Sequence, residues 1–261
     1  MFRSSAILAS PGDIEKKSIK NMLLKIALNG ARPKSENENI PHSPDEIEKE
    51  VRLLYSRGYK TFHIHCYDKE GRESLKQVDV HNLVSGVKNI SAEIRVGIST
   101  GDWIEPDLEK RKKYISDWKT VPDFASVNMI EANSIEICQT LMEKGIPVEA
   151  GLNEMQAAEI LVNSRIRKGF CRILIEPEPE ELSEALQTVN EIESVLNSND
   201  IRIKRLLHGF NAVSWDLLRE AKKRGYDGRM GMEDTIFLEN GIKVKSNLEL
   251  INAAEKIIMT A

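Results

Sequence analysis

Eight short apolar runs recur along this chain, and each is followed by a segment whose apolar residues fall at helical spacing. The runs are LLKIALNG (23–30), KTFHIHCY (60–67), EIRVGIST (93–100), FASVNM (124–129), IPVEAGL (146–152), CRILIEP (171–177), IKRLLHGF (203–210) and GRMGMED (228–234). Such alternation, with no long linker to interrupt it, predicts parallel strands joined by crossover helices, an α/β chain. The chain has 261 residues. Closed barrels of this type need roughly 250. A single (βα)8 TIM barrel is therefore expected over residues 22–261. The alternative is an open, doubly wound sheet, which often carries a Gly-rich phosphate turn after its first strand. Here that turn reads ALNGARPK, with neither a G-x-G-x-x-G nor a Walker pattern.

The helical segments carry their own punctuation. Ser43-Pro44-Asp45-Glu46 opens the first with a cap, a first-turn proline and a capping-box glutamate. Ile47, Val51, Leu54 and Tyr55 then follow at helical spacing, and Gly58 closes the element. Segments 134–145, 154–169, 180–196, 212–225 and 246–259 repeat the scheme; it is weaker near 77–88 and 106–115. Residues 1–21 read as an extension docked ahead of the barrel. Their apolar run is too short for a secretory signal, and their acidic residues argue against a transit peptide.

Charge excludes several classes of function. The 37 basic and 41 acidic residues are dispersed, giving a net charge of -4. There is no basic patch for nucleic acid and no polybasic membrane anchor. No stretch approaches the ~20 apolar residues of a membrane span. Cys66, Cys138 and Cys171 are odd in number and widely spaced, which suits a reducing compartment, and a cytoplasmic location is expected.

Barrel enzymes keep their chemistry at the C-terminal strand ends. Read off the eight runs, those ends offer Asn29, His63, His65, Ser99, Thr100, Asn128, Glu149, Glu176, His208, Arg229, Glu233 and Asp234. Alternation along a strand sends His63 and His65 to the same face. Two adjacent imidazoles make a poor core and a good pair of metal ligands, although the pair alone also suits a polar strand end. The eighth strand neighbours the first, and the first neighbours the second, so Glu233 or Asp234 can supply a third ligand. Two histidines and one carboxylate leave a coordination position open, as catalytic zinc requires, but non-haem iron uses the same ligand types. Metal-dependent amidohydrolases also use an H-x-H pair. They place it on the first strand, and here it lies on the second.

In this order of elements the chain resembles the β-keto acid cleavage enzymes, the family of 3-keto-5-aminohexanoate cleavage enzyme, from about Met22 to the C-terminus. The resemblance rests on ALNGARP, HIHCYDKEGRES, ISTGD, SVNM and RMGMEDTIFLENG. It implies a zinc-dependent acyltransferase in which a β-keto acid and acetyl-CoA become an acyl-CoA and acetoacetate. It further implies that His63, His65 and Glu233 bind zinc, that Asp234 is the base and that Arg229 orients it. Ser99, Thr100 and Gly101 would hold the substrate carboxylate, with Ser126 nearby and Glu149 as an acid on the fifth strand. The relatives also suggest a homo-oligomer, dimer or tetramer.

Departures bear on the substrate. The family's naming enzyme has an acidic residue, placed to meet a substrate amino group, where this chain has Arg32. A guanidinium repels an ammonium, so 3-keto-5-aminohexanoate is not the expected substrate. Glu176, facing the pocket, would select a hydroxyl or amino group and partly offset Arg32. Tyr67 stands where relatives carry arginine. His208 suits a supporting donor or a substrate contact. Cys66 is expected to be buried packing, and His42 and His81 receive no role. A CoA-independent metal-dependent lyase, aldolase or hydrolase on the same barrel is the alternative. The intact polar set argues against a barrel that only binds a ligand.

Overall fold

The computed structural model describes residues 22–260, the Lys168 side chain excepted. The extension at residues 1–21 lies outside the described residues. Eight parallel strands close into a barrel in chain order: β1 (Leu24–Ala27), β2 (Thr61–Ile64), β3 (Arg95–Ser99), β4 (Phe124–Asn128), β5 (Val148–Leu152), β6 (Phe170–Ile175), β7 (Arg205–Leu207) and β8 (Asp227–Met230). β1 pairs with β2 through Ala27 and His63, and with β8 through Ile26 and Met230. The expected (βα)8 barrel is the observed fold.

Among the described residues, eight α-helices ring it: α1 (Pro44–Ser56), α2 (Gln77–Ile90), α3 (Leu108–Asp117), α4 (Ser134–Glu143), α5 (Met155–Asn163), α6 (Leu182–Ser198), α7 (Ser214–Arg224) and α8 (Asn247–Met259). The weakly patterned α2 and α3 are helical as well. α1 begins with the capping box, Ser43 and Glu46 satisfying each other's backbone N–H groups. Apolar faces such as Ile47, Val51 and Leu54 pack on the outward residues of the strands, and this layer is the main hydrophobic core.

The barrel interior differs in kind from that outer layer. Low in it, Phe124 fills space that Gly97 vacates, because a Cβ at residue 97 would lie 1.8 Å from the Phe124 ring. The Lys25 ammonium lies 5.7 Å over that ring and 2.6 Å from Glu149, which also accepts from Arg172 at 2.6 Å. Higher up, Ser99 of β3, Ser126 and Asn128 of β4 and Leu174 of β6 open onto the mouth.

One rim residue and one strand end fall differently from expectation. β5 ends at Leu152 as its run predicts, but Glu149 is its second residue and sits deep in the interior instead of at the rim. β8 stops at Met230, because Gly231 passes so close to β1 that a Cβ there would lie 1.8 Å from the Ala27 carbonyl oxygen. Glu233 and Asp234 therefore ride on a turn, closed by Asp234 N–H donating to Gly231 O at 2.9 Å.

Candidate active site

His63 is the penultimate residue of β2 and buried, and His65 lies just past the strand's end. Asn29 fixes that backbone from two sides. Its Oδ1 accepts from His65 N–H at 2.9 Å, and its Nδ2 donates to His65 O at 3.0 Å and to Pro41 O at 2.9 Å. The Glu233 carboxylate arrives from the β8 turn. Its Oε1 lies 3.7 Å from His63 Nε2 and 3.5 Å from His65 Nε2. Tetrahedral donors on ~2.0 Å metal bonds stand roughly 3.3 Å apart, so this set is close to the spacing a zinc ion needs. It is the only such cluster of His, Cys, Asp or Glu found among the described residues. Gly30, at φ +60°, lets the carboxylate in: a Cβ there would lie 2.4 Å from Glu233 Cγ.

Electrostatics prepare the set for a cation. Burial holds His63 well below its usual pKa, so the imidazole is neutral with a lone pair to offer. Burial also disfavours charge on His65, but the Glu233 and Glu73 carboxylates outweigh it and raise the group to about 9. Burial opposes ionisation of Glu233 too, yet Arg229 and the histidines hold it well below the carboxylate range.

Behind the ligands runs a second chain of polar groups. Arg229 donates to Asp234 Oδ1 from Nε at 3.0 Å and Nη2 at 2.6 Å, and Nη2 lies 3.1 Å from Glu233 Oε1. Asp234 raises the Arg229 pKa above an already high value, against the pull of burial. His208 Nδ1 is 3.5 Å from Asp234 Oδ1, and its Nε2 is 3.0 Å from Glu176 Oε2. Asp234 is 0% exposed, and its Oδ2 has no partner.

His63, His65, Glu176, Arg229 and Glu233 border a cavity of about 350 Å³ at the barrel mouth. Of the expected residues, His63, His65, Glu233, Arg229, Ser99, Ser126, Asn128, Glu176 and Arg32 line it. Four others do not. Glu149 is 0% exposed and committed to Lys25 and Arg172, because β5 extends three residues past it. Asn29 is fully buried and spent on backbone groups. The Thr100 hydroxyl points away, donating to Ser126 O at 2.8 Å. Gly101 lies beneath the Trp103 ring. Arg32 reaches the wall without a free guanidinium. It donates to the carbonyls of Glu233 at 3.0 Å and Asp234 at 3.2 Å, to Glu36 at 2.7 Å and to Asn211. His42 stacks on Tyr67 with centroids 4.1 Å apart and supports the same loop, while His81 contacts Thr120 on the outer surface. Cys66 is buried packing.

Sequence reasoning missed Glu73, Trp103, Asn153, Phe210 and Asn211. Glu73 accepts from His65 Nδ1–H at 2.5 Å, and Trp103 Nε1–H donates to its other oxygen at 2.9 Å. The signal available was position alone: Glu73 lies in the loop after the H-x-H pair, and Trp103 lies in the loop after β3.

The family model for beta-keto acid cleavage enzyme matches residues 21–168. The 3-keto-5-aminohexanoate cleavage enzyme of Acetoanaerobium sticklandii is 20% identical over 264 residues, covering 93% of this chain and 92% of that protein. Among solved structures, the ternary complex of ObcA with a C4-CoA adduct and oxalate matches with a TM-score of 0.65 at 14% identity, covering 85% of this chain. Its binary complex with oxaloacetate gives 0.62 at 14% identity and 85% coverage. This chain spans 62% of the length of either ObcA structure. A type I 3-dehydroquinate dehydratase from Clostridium difficile matches at 0.55 with 12% identity, over 90% of this chain and 93% of that one. At these identities the structures speak for the barrel only. The family model spans more than half of the chain, and the site it covers carries the H-x-H pair in place: the protein belongs to the β-keto acid cleavage enzyme family.

Proposed function

We propose that this protein is a zinc-dependent acyltransferase that converts a β-keto acid and acetyl-CoA into an acyl-CoA and acetoacetate. The acetyl group passes to the α-carbon of the keto acid and the acyl group passes to the CoA sulfur, so atoms balance without a covalent enzyme intermediate. The observation that carries this reading is the convergence of His63, His65 and Glu233 beside the Arg229–Asp234 pair, in a member of this family. His63, His65 and Glu233 would hold the ion. When bound, zinc supplies Lewis-acid polarisation of the keto oxygen.

The chain's own groups do the rest. Asp234 accepts the α-proton through its unpartnered Oδ2, while its other oxygen stays fixed by Arg229. Ser99 and Ser126 offer wall hydroxyls to the substrate carboxylate. Thr100 and Gly101 act on that loop from behind, one anchoring it to β4 and the other seating Trp103.

Selection of the substrate tail passes from Arg32 to the opposite wall. β2 and β6 face each other across an eight-stranded barrel, so Glu176, just past β6, stands across the mouth from the histidines. The exclusion of 3-keto-5-aminohexanoate rested on Arg32 meeting the tail, and its committed guanidinium removes that support. A cytoplasmic homo-oligomer, dimer or tetramer, remains part of the same reading. No helix among the described residues is long and apolar enough to cross a membrane.

The test is turnover of a panel of β-keto acids by zinc-loaded protein, with and without acetyl-CoA. The panel includes the 5-amino compound and acidic and alkyl analogues. Acyl-CoA and acetoacetate should form only when acetyl-CoA is present. Equal cleavage without it would replace this reading with a CoA-independent lyase. Asp234→Asn should lower kcat about 10²–10⁴-fold while zinc content holds.

A further inference from the structure

The two imidazoles are supported unequally. His63 Nδ1 is buried with no hydrogen-bond partner, whereas His65 Nδ1 sits 2.5 Å from Glu73 Oε1. The loop after β2 makes that contact by folding back on itself. Gly71 N–H donates to Asp68 O at 2.9 Å, Ser74 N–H donates to Cys66 O at 2.8 Å, and Tyr67 pairs with Glu73 across the fold. The second Glu73 oxygen is held from a different loop by the Trp103 indole N–H at 2.9 Å. Trp103 is 49% exposed, so burial alone does not fix it. Its ring occupies the space left by the missing Cβ of Gly101 and lies near-parallel to His65, with centroids 6.3 Å apart.

We infer that Glu73 and Trp103 are positioning residues for the metal centre, acting in series on His65. The inference rests on the zinc reading above and adds which residues make His65 a competent ligand. A metal-binding imidazole must carry its proton on the ring nitrogen that faces away from the ion. With Nε2 turned to Glu233, that nitrogen is Nδ1, and Glu73 is the acceptor that holds the proton there. Trp103 in turn keeps Glu73 from swinging into water. The β3 loop, which follows Ser99 and Thr100 on the substrate side, is thereby joined to a metal ligand on the β2 loop. Displacement of either loop would be felt by the other.

The experiment measures zinc dissociation constants for the full-length protein by competition with a chromophoric chelator. The proteins compared are wild type, Glu73→Ala, Glu73→Gln, Trp103→Phe and the Glu73→Ala/Trp103→Phe double variant. Glu73→Ala should weaken zinc about 10- to 100-fold, the range typical for removing such a partner. Glu73→Gln keeps an acceptor oxygen for His65 and should recover part of that loss; it carries the comparison should Glu73→Ala fail to fold. Trp103→Phe keeps an aromatic ring and removes only the N–H. It should weaken zinc several-fold in the wild-type background and not at all in Glu73→Ala. In wild type, zinc addition should change a tryptophan emission component that Trp103→Phe abolishes. Affinity within about twofold of wild type in both Glu73 variants would overturn the inference and leave the zinc reading standing. Equal weakening by Trp103→Phe in both backgrounds would remove Trp103 from the series. A wild-type protein that takes up no zinc would overturn the metal reading and this one together.

Discussion

The barrel contains two buried charged clusters, one low in its interior and one at its mouth, and they are finished differently. In the lower cluster Glu149 accepts from both Lys25 and Arg172 at 2.6 Å, and Arg172 lies 3.4 Å from Asp227. In the upper cluster His63 Nδ1, His208 Nδ1, Glu233 Oε2 and Asp234 Oδ2 have no hydrogen-bond partner; in the lower one Arg172 Nε and Asp227 Oδ2 also lack one, while both Glu149 oxygens are bonded. Both clusters pay the desolvation cost of burying charge. The lower one offsets it at Glu149, which two cations clamp within the protein. The upper one sets His63, His65, Glu233 and Arg229 on the wall of a cavity, where a cation and a substrate would add further partners. The same residue types thus hold the fold together in one place and leave it incomplete in another.

Exchanging perturbations between the clusters gives the strongest test of that contrast. His63→Ala should lose zinc and bring turnover to background, while unfolding of the metal-free proteins by denaturant moves little; metal analysis and denaturation in a chelator check both halves. Glu149→Gln should do the reverse. It leaves Lys25 buried without its counter-charge and should cost about 3–5 kcal/mol of stability, read from chemical denaturation. The pH dependence of that cost has a definite sign. Burial opposes ionisation of Glu149, but Lys25 and Arg172 hold its pKa below the ordinary value. Its contribution is therefore present above the unfolded carboxylate range and is lost as pH falls through the depressed folded value. Glu149→Gln should flatten that acid limb of the stability curve, and an unchanged limb would detach Glu149 from it.

Smaller effects lie away from both clusters. Gly231→Ala forces a methyl group against the Ala27 carbonyl and should destabilise the seam by about 1–3 kcal/mol, with zinc affinity falling as the β8 turn shifts. Ser43→Ala removes the α1 cap and should cost about 1 kcal/mol while leaving zinc binding untouched.

The sequence carried the barrel well because each strand is buried on both faces and reads as a short apolar run. Strand ends were less legible. The run GRMGMED continues through Glu233, but backbone contact between Gly231 and Ala27 ends β8 at Met230. No local pattern encodes that contact. His63 and His65 were visible because two-residue alternation is local, and Glu233 was visible because barrel closure brings strand eight beside strand one. Glu149 was misplaced because it was counted among the rim residues, although its run continues three residues past it to Leu152. Arg32 was read as a free cation because its partners, the Glu233 and Asp234 carbonyls, are about 200 positions away in the chain. Glu73 and Trp103 were missed for a related reason: a side chain that orients a ligand needs only the right loop geometry, and nothing in its own neighbourhood marks it.

The join between β8 and β1 has one further consequence. Two imidazoles come from the second unit of the chain, and the carboxylate opposite them comes from the last. A nascent or truncated chain that lacks the final unit presents two of the three candidate ligands, however well its earlier units have formed. Ion capture would then work as a latch on circularisation, its free energy accruing to closing the ring rather than to any one βα unit.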